Sequence, residues 1–423
     1  MSSSPDVVVV GGGPGGAATA YWLAHRGLSV VMAEKKSYPR EKACGDGLTP
    51  RAIKQLIDMG FDFDVPRLHK ITGLRAYADD LVLELEWPKH SIYPPWGAVM
   101  RRADLDMAVA ALAEDQGAVV RQRTEAKPLI ADGLLRGVTL ERSEGREVVD
   151  REVVTPRFVV IADGSLSRFG RALGTQRRRD YPFGQAVRGY FESSNSKDSM
   201  LESQLNIFDA EGRAMPGYGW VFPLGDGTIN VGAGVMSSFK GWKDVNTNKV
   251  LDAYLDSLPE YWATGRESSI SRPVGGKLPM SFSVGPKVGP NWLSVGDAAG
   301  AVNPFNGEGI DYAYETGRLA AGFIADAVAT DDPTVLHRYS AALEDEYADY
   351  HRVARAFVIA IGNPALMRRL TRIGLRSRPL MEWVLKVMAN LLEPEEYGMA
   401  ERVFHAIEKV VKVGPEPKVK ARG

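Results

Sequence analysis

Residues 6–34, DVVVVGGGPGGAATAYWLAHRGLSVVMAE, predict a strand, a glycine-rich turn, a helix and a second strand in immediate succession. The valines from Val7 to Val10 are typical of a strand that is buried on both faces. The alanine-rich helix ends at Gly27, and the second strand ends on Glu34. Because all these parts fall in order within about 30 residues, the segment predicts a dinucleotide-binding unit.

Each glycine of the turn has its own predicted role. Gly11 allows the tight turn, Gly13 lets the backbone approach a pyrophosphate, and Gly16 lets the helix pack closely on the strand. The helix N-terminus offers unpaired N–H groups to the phosphates. Glu34 lies where an acid accepts hydrogen bonds from the adenosine ribose, and it disfavours a 2′-phosphate. The nucleotide is therefore predicted to be FAD or NAD rather than NADP, whereas an ordinary strand-to-helix turn would leave Glu34 unexplained.

A second segment, residues 291–310, indicates which dinucleotide is bound. A short apolar strand ends in Gly296-Asp297, and Gly307-Glu308-Gly309-Ile310 opens a helix. The carboxylate of Asp297 can bind ribityl hydroxyls, and the helix N-terminus can face the flavin edge that becomes negative on reduction. Arg102, which opens an intervening helix, is predicted to pair with the pyrophosphate. NAD would need none of these groups, so the sequence predicts FAD.

Composition excludes several classes of protein. The 423-residue chain has a formal net charge of −1, so no overall field attracts nucleic acid. Its one cysteine, Cys44, excludes an internal disulfide, a cysteine-rich zinc site and a four-cysteine iron–sulfur cluster, and we predict no metal. No basic segment precedes an apolar one near Met1, and no apolar run reaches the ~20 residues that span a bilayer. We therefore expect a cytoplasmic protein.

The pattern along the chain predicts interleaved domains within an α/β fold. The Rossmann-type FAD-binding domain is predicted to comprise residues 1–70, 100–175 and 284–333. Residues 71–99 and 176–283 are predicted to form a mainly antiparallel β-sheet, the substrate domain, because apolar residues there alternate with small or polar ones. C-terminal helices are expected over residues 334–413, and the Pro/Lys-rich residues 414–423 are expected to be disordered.

Beyond the two nucleotide segments, the chain resembles the geranylgeranyl reductase family, a branch of the flavoproteins that include p-hydroxybenzoate hydroxylase. The similarity lies in residues 43–48, 218–223, 296–299 and 303–309. The segments around Cys44, Tyr218 and Asn303 are most similar to those members that saturate a double bond in the polyprenyl tail of menaquinone. The resemblance implies that the loop holding Cys44 comes near the flavin ring. The full set of predicted FAD contacts is Gly11, Gly13, Pro14, Gly15, Gly16, Glu34, Cys44, Gly45, Gly47, Arg102, Ala126, Asp297, Gly307, Gly309 and Ile310.

The aromatic segment Tyr218-Gly219-Trp220-Val221-Phe222 suits the reduction of an isolated alkene. Such an alkene accepts hydride poorly, so hydride transfer from the flavin should be coupled to protonation of the other carbon. Positive charge then develops on the substituted carbon, and a dry aromatic pocket would favour both that charge and an apolar tail. Half-buried sheet packing would give the same pattern. We predict Cys44, Tyr218 and Trp220 as catalytic residues, and the proton donor stays open among Cys44, Asp46, Tyr218 and Glu308.

Three other functions fit the same segments. A related enzyme would reduce a geranylgeranyl lipid or geranylgeranyl diphosphate instead of menaquinone. A flavin-dependent monooxygenase would consume oxygen and bind a small polar substrate. A prenyl-binding carrier would not be an enzyme at all and would have no use for complete flavin-binding segments. The electron donor, NAD(P)H or another reductant, is not specified by any segment.

An acid-free stretch near the C-terminus predicts peripheral contact with an anionic membrane. Between Asp349 and Glu382 the chain has no carboxylate and seven arginines, which are Arg352, Arg355, Arg368, Arg369, Arg372, Arg376 and Arg378. Basic amphipathic helices commonly lie on anionic bilayers, although a solvated arginine face on a packing helix would look the same. Because a polyprenyl quinone resides in the bilayer, we expect the protein to dock on the inner face of the cell membrane.

Overall fold

A five-stranded parallel sheet forms the centre of the computed structural model, which describes residues 4–393 and 398–419. The strand Val7–Val10 lies in the middle, and every one of its residues is buried, as the run of valines predicts. In spatial order the strands are Trp292–Ser294, Phe158–Ile161, Val7–Val10, Val30–Ala33 and Val119–Arg121. All neighbouring strands pair in parallel, so their carboxyl ends meet at one edge of the sheet.

Helices connect the strands and form the C-terminal region. They are α1 (Pro14–His25), α2 (Pro50–Asp58), α3 (Arg102–Asp115), α4 (Arg168–Ala172), α5 (Thr247–Leu255), α6 (Ile310–Thr330), α7 (Arg338–Ile361), α8 (Pro364–Leu375), α9 (Arg378–Met388) and α10 (Met399–Val413). Short 3₁₀ helices cover Trp242–Asp244, Glu260–Trp262, Arg266–Ser268, Gly296–Ala298 and Pro333–His337.

The two faces of the parallel sheet are covered by different structures. Successive side chains of a strand point to opposite faces. Val7 and Val9 accordingly pack in a core with residues of α1, α3 and α6. Val8 and Val10 pack against a three-stranded antiparallel sheet that consists of Thr124–Ala131, Leu134–Glu144 and Glu147–Val154.

A second, seven-stranded sheet lies beside this unit. Its strands, in spatial order, are Val274–Pro279, Phe183–Glu192, Thr228–Met236, Gly217–Pro223, Met200–Gln204, Gly73–Ala78 and Leu81–Glu86. Neighbours are antiparallel except for Met200–Gln204, which runs parallel to Gly73–Ala78. Smaller sheets pair Gly47–Leu48, Gly97–Val99 and His69–Ile71, Gln176–Arg177 with Val284–Gly285, and Ile207–Phe208 with Ala214–Met215. The predicted fold class, a Rossmann-type α/β unit with a mainly antiparallel sheet and C-terminal helices, is confirmed.

The end of the described chain differs from the sequence-based expectation of a disordered tail. Residues 414–419 have neither helix nor strand, but the Val419 N–H group donates to the carbonyl oxygen of Asp180, and Glu416 accepts a hydrogen bond from Tyr181. Residues 420–423, which share that expectation, lie outside the described residues. Among the residues that the structure describes, no helix is both long enough and apolar enough to cross a bilayer.

Candidate functional site

The glycine turn lies at the carboxyl end of the central strand and opens an uncapped helix. Gly11 has a φ of +102°, and a Cβ atom there would lie 2.5 Å from the carbonyl oxygen of Ala162, so glycine is required. α1 begins at Pro14. Its N-cap residue, Gly13, has no side chain that could accept hydrogen bonds from the N–H groups of the first turn. The first-turn N–H groups of α1, which include those of Gly15 and Gly16, are therefore available to an anion.

Glu34 is held by two backbone N–H groups, one from the glycine turn and one from the residues that follow Glu34. Its Oε2 accepts from the Gly12 N–H at 3.0 Å, and its Oε1 accepts from the Lys36 N–H at 2.8 Å. The backbone carbonyl of Glu34 accepts from the Thr124 N–H at 2.8 Å. That contact places Ala126, two residues along the same strand, in the region where the sequence predicts the adenosine end of FAD.

Two arginines share the carboxylate of Asp106 beside the glycine turn. Arg102 donates from Nε and Nη2 to Asp106 at 2.7 and 2.8 Å, so its contact with a pyrophosphate stays a prediction. The Nη1 atom of Arg40 lies 3.1 Å from Asp106 Oδ2, and its Nε atom lies 3.2 Å from Glu34 Oε2. Its Nη2 atom would lie 3.6 Å from a Cβ atom on Gly13. Arg40 belongs to none of the motifs quoted above, so sequence reasoning missed it. Its charge beside the turn makes it a further candidate for binding the phosphates.

The second nucleotide segment converges on the N-terminus of α6. The strand Trp292–Ser294 leads into the 3₁₀ turn that contains Asp297. α6 begins at Ile310 after an N-cap glycine, Gly309, and Asp297 Oδ1 would lie 3.6 Å from a Cβ atom on Gly309. The Nζ atom of Lys42 lies 3.8 Å from Asp297. The structure thus brings the Asp297 carboxylate close to the N-terminus of α6, and their contacts with the ribityl chain and the flavin edge stay predictions.

The loop that holds Cys44 packs against the aromatic strand Gly217–Pro223. A Cβ atom on Gly45 would lie 2.9 Å from the Phe222 ring, and one on Gly47 would lie 3.0 Å from it. Larger residues at these two positions would separate the loop from the strand. The loop follows the strand Val30–Ala33 of the parallel sheet, whereas Gly217–Pro223 belongs to the seven-stranded sheet. Their contact therefore joins these two sheets.

Trp220 lies mostly inside the large sheet. It is 6% exposed, and its Nε1 donates to Asn230 Oδ1 at 3.0 Å. A Cβ atom on Gly232 would lie 2.1 Å from the Trp220 ring, so the ring covers the neighbouring strand, Thr228–Met236, at this residue. The edge that carries Nε1 is the part near the Cys44 loop, 3.2 Å from the position of a Cβ atom on Gly45. The role of Trp220 as a wall of the alkene pocket stays a prediction. Only the ring edge that carries Nε1 would take part in that wall.

A buried carboxylate holds the Cys44 loop in place. Asp46 is fully buried; its Oδ1 accepts from the Arg102 N–H at 3.1 Å, and its Oδ2 accepts from Tyr190 at 2.6 Å and from Asn230 at 2.9 Å. The Asn230 Nδ2 also donates to the carbonyl oxygen of Cys44 at 2.9 Å. Burial raises the pKa of Asp46, while these donors and the charge of a nearby arginine oppose that rise. Tyr190 and Asn230 were missed because they lie far along the chain and belong to none of the motifs quoted above.

Cys44 and Glu308 both lie near Tyr218 at the junction of the sheets. The Cys44 Sγ accepts from the Asp46 N–H at 3.4 Å, and burial raises the pKa of its thiol, so the thiol is neutral at pH 7. The Tyr218 hydroxyl donates to the carbonyl oxygen of Asn306 at 2.5 Å. Burial raises the pKa of Tyr218, and the nearby Glu308 and Cys44 raise it further.

Comparison with known proteins agrees with this arrangement. A family model described as an FAD binding domain matches residues 4–207. Menaquinone reductase of Mycobacterium tuberculosis is 36% identical over 405 residues, which are 96% of this chain and 95% of that protein. The chain belongs to the geranylgeranyl reductase family of FAD-dependent oxidoreductases. Digeranylgeranylglycerophospholipid reductase of Thermoplasma acidophilum is 29% identical and covers 82% of this chain and 85% of its own length.

A solved structure has the same fold. A geranylgeranyl bacteriochlorophyll reductase-like protein of Thermoplasma acidophilum aligns with a TM-score of 0.76 at 24% identity, over 96% of this chain and 99% of that one. The predicted cofactor, FAD, and the predicted class, a flavin-dependent oxidoreductase, are confirmed by the family. The groups described above fit FAD, because two bare helix N-termini, Glu34 and Asp297 lie along one edge of the parallel sheet.

Proposed function

We propose that this chain saturates an isoprenoid double bond in the polyprenyl tail of menaquinone. The observation that carries the proposal is the 36% identity with menaquinone reductase across 96% of the chain. The junction of the two sheets suits an apolar alkene, because the aromatic strand Gly217–Pro223 lies against the loop of Cys44. An isoprenoid tail could lie there away from water.

The residues of the junction have separate roles in this proposal. Bound FAD, once reduced, supplies the hydride. Tyr218 and Phe222 offer aromatic faces that attract the positive charge developing on the substituted carbon. Cys44 lines the pocket as a neutral thiol and adds no charge to it. Trp220 supports the strand from inside the sheet and presents one edge to the loop.

Anaerobic incubation of the FAD-loaded protein with menaquinone and a chemical reductant tests this function. After the headgroup has been reoxidised in air, we expect mass spectrometry to show a quinone that has gained two hydrogen atoms in its tail and no oxygen. A geranylgeranyl lipid offered in parallel should react more slowly; preferential reaction of that lipid would reassign the substrate. Oxygen uptake with a hydroxylated product would instead indicate a monooxygenase, and tight binding of an unchanged lipid would indicate a carrier.

We propose in addition that α8 docks the protein on an anionic membrane. This helix has three exposed apolar residues, whose exposed fractions lie between 37 and 52%: Leu366, Leu370 and Ile373. Its exposed arginines without a role in the described fold are Arg368, Arg369 and Arg376. A helix that exposes apolar residues beside cations is typical of membrane surfaces. Arg372 and Arg355 serve the fold instead: Arg372 donates to Asp79 at 2.8 Å, and Arg355 is buried against the ring of Tyr181.

Charge reversal on α8 tests this docking. Each arginine near an anionic surface contributes about 1 kcal/mol, so replacing Arg368, Arg369 and Arg376 by Glu should weaken binding to phosphatidylglycerol vesicles by roughly 100-fold or more. The wild-type binding should fall as salt is added. A control variant makes the same charge change on other exposed arginines, Arg136, Arg146 and Arg179. Equal vesicle binding by both variants and the wild type would place the membrane contact elsewhere.

A further inference from the structure

The loop before α6 places a carboxyl group at the junction of the two sheets. Glu308 directly precedes Gly309, the N-cap residue of α6. Its Oε1 accepts a hydrogen bond from the Thr49 hydroxyl, and its Oε2 accepts from Asn306 Nδ2 at 3.2 Å. Thr49 lies two residues beyond Gly47 of the Cys44 loop. The carboxyl group therefore lies between the two segments that are predicted to hold the flavin ring.

The charges around Glu308 favour its protonated form. Arg51 of α2 donates to both carboxylate oxygens of Glu315, at 2.8 and 2.7 Å, so its charge is largely neutralised by that residue. Asp311 is fully buried; among the described residues neither of its oxygens has a hydrogen-bond donor, and the nearest guanidinium atom, Arg51 Nε, is 3.7 Å away. Three carboxyl groups thus share one guanidinium. Burial raises the pKa of Glu308 to about 7 and raises that of Asp311 as well.

Among the described residues, Arg51 is the cation that acts most strongly on Glu308. The ionisable groups that face Glu308 come from α2, α6, α7 and the aromatic strand, and they are Arg51, Asp311, Glu315, Tyr350 and Tyr218. The tyrosines are neutral at pH 7, because burial raises the pKa of both. Burial thus brings the pKa of Glu308 close to neutrality.

The competing donors are less well placed than Glu308. Asp46 is fully buried and accepts three hydrogen bonds, from Arg102, Tyr190 and Asn230. The Tyr218 hydroxyl is committed to a backbone carbonyl, and its pKa lies far above neutrality. Glu308, in contrast, is only partly buried and borders the junction.

We propose that Glu308 is the acid that protonates the alkene, an inference that rests on the proposed function. In that step the π bond breaks, one carbon takes the hydride supplied by reduced FAD, and the other carbon forms a C–H bond with the proton of the Glu308 carboxyl group. Glu308 is left as a carboxylate and takes up a proton from solvent before the next turnover. Thr49 and Asn306 orient the carboxyl group, so they are positioning residues.

The variant Glu308→Gln tests the role of the acid. It keeps an oxygen for Thr49 but has no proton to give, so alkene reduction by the prereduced protein should fall by about 10²- to 10⁴-fold. Glu308→Asp should recover part of the rate. In the wild type the rate should be highest below pH 7 and fall as the pH rises through about 7, because the acid must be protonated. Infrared titration of the flavin-loaded protein, which requires no turnover, should show a carboxylic acid band that is lost near the same pH and is missing from Glu308→Gln.

Two outcomes would overturn this assignment. One is a rate and a pH profile in Glu308→Gln that match the wild type. The other is a comparable loss of rate in Cys44→Ser or Tyr218→Phe, with the pH dependence near 7 kept in Glu308→Gln. Flavin absorbance and thermal melting of every variant separate a lost acid from lost cofactor or lost fold. A wild-type protein that never reduces the alkene would refute the proposed function, whereas a wild type that reduces it as fast as Glu308→Gln would refute only the role of Glu308.

Discussion

The glycine turn and the Cys44 loop both follow strands of the parallel sheet, but their buried carboxylates are held by different kinds of contact. Glu34 accepts hydrogen bonds from Gly12 and Lys36, which are 22 and 2 positions away. Asp46 accepts from groups 56, 144 and 184 positions away, on Arg102, Tyr190 and Asn230. The first arrangement is a local motif that forms with the strand–turn–helix unit. The second exists only after the large sheet has packed against the nucleotide-binding unit, so it links cofactor binding to the assembly of the whole molecule.

The largest effect is expected from Asp46→Ala. The change leaves three buried donors without their acceptor, each at a cost of about 1–3 kcal/mol, and it puts alanine at a φ of +66°. We expect the free energy of unfolding to fall by about 3–5 kcal/mol, measured by urea denaturation without added FAD.

The hairpin residue Asp132 supplies a matched control for this change. It also has a positive φ, +53°, but it is exposed in a turn. Asp132→Ala should therefore lower the free energy of unfolding by only about 1–2 kcal/mol through backbone strain. Similar losses in both variants would mean that the network around Asp46 adds little to stability, and the contrast between the two regions would disappear.

A smaller and more selective effect is expected from Glu34→Ala. Loss of the charged acceptor for ribose hydroxyls should weaken FAD binding by about 1.5–3 kcal/mol, or roughly 10- to 150-fold in the dissociation constant from a fluorescence titration. Glu125→Ala removes a nearby surface carboxylate that pairs with Lys35 and should leave FAD affinity unchanged. An unchanged affinity in Glu34→Ala would show that the local motif is structural and does not hold the ribose.

The sequence predicts the glycine turn well because its determinants are local. The valine strand, Gly11 and Glu34 lie within one strand–turn–helix unit, and the backbone of that unit brings them together without help from distant residues. The approach of Gly45 to the aromatic strand was not predicted, because the family resemblance implied only that the Cys44 loop comes near the flavin ring. Composition and periodicity by themselves do not pair a loop with a strand that follows more than 150 residues later.

Sequence reasoning did not predict which side chains pair with one another. Arg102 was expected at a pyrophosphate, but its neighbour one helical turn later, Asp106, holds its guanidinium. Asp311 and Arg51 form their buried group only where α2 crosses α6. The acid-free C-terminal stretch shows the same limit, because the sequence does not distinguish Arg355, which is buried, from Arg368, which is exposed.

The smallest expected effect concerns the aromatic strand, the partner of the Cys44 loop. Trp220→Phe keeps an aromatic ring but loses the hydrogen bond to Asn230, whose amide also holds Cys44 and Asp46. We expect turnover to fall about 2- to 5-fold while FAD remains bound, because the weaker ring face and the loosened loop together cost about 0.5–1 kcal/mol.

Trp262→Phe makes the same chemical change in the 3₁₀ helix Glu260–Trp262, where Trp262 Nε1 donates to Glu202 of the large sheet at 2.6 Å. Trp262 packs in a core with Val221, Val250 and Tyr254, and in the described part of the chain it makes no hydrogen bond to the Cys44 loop. Its substitution should lower thermal stability without changing turnover per bound flavin. If the two variants lose turnover equally, Trp220 acts only through the stability of the sheet. If Trp220→Phe alone slows the reaction, the ring edge that faces the Cys44 loop belongs to the alkene pocket.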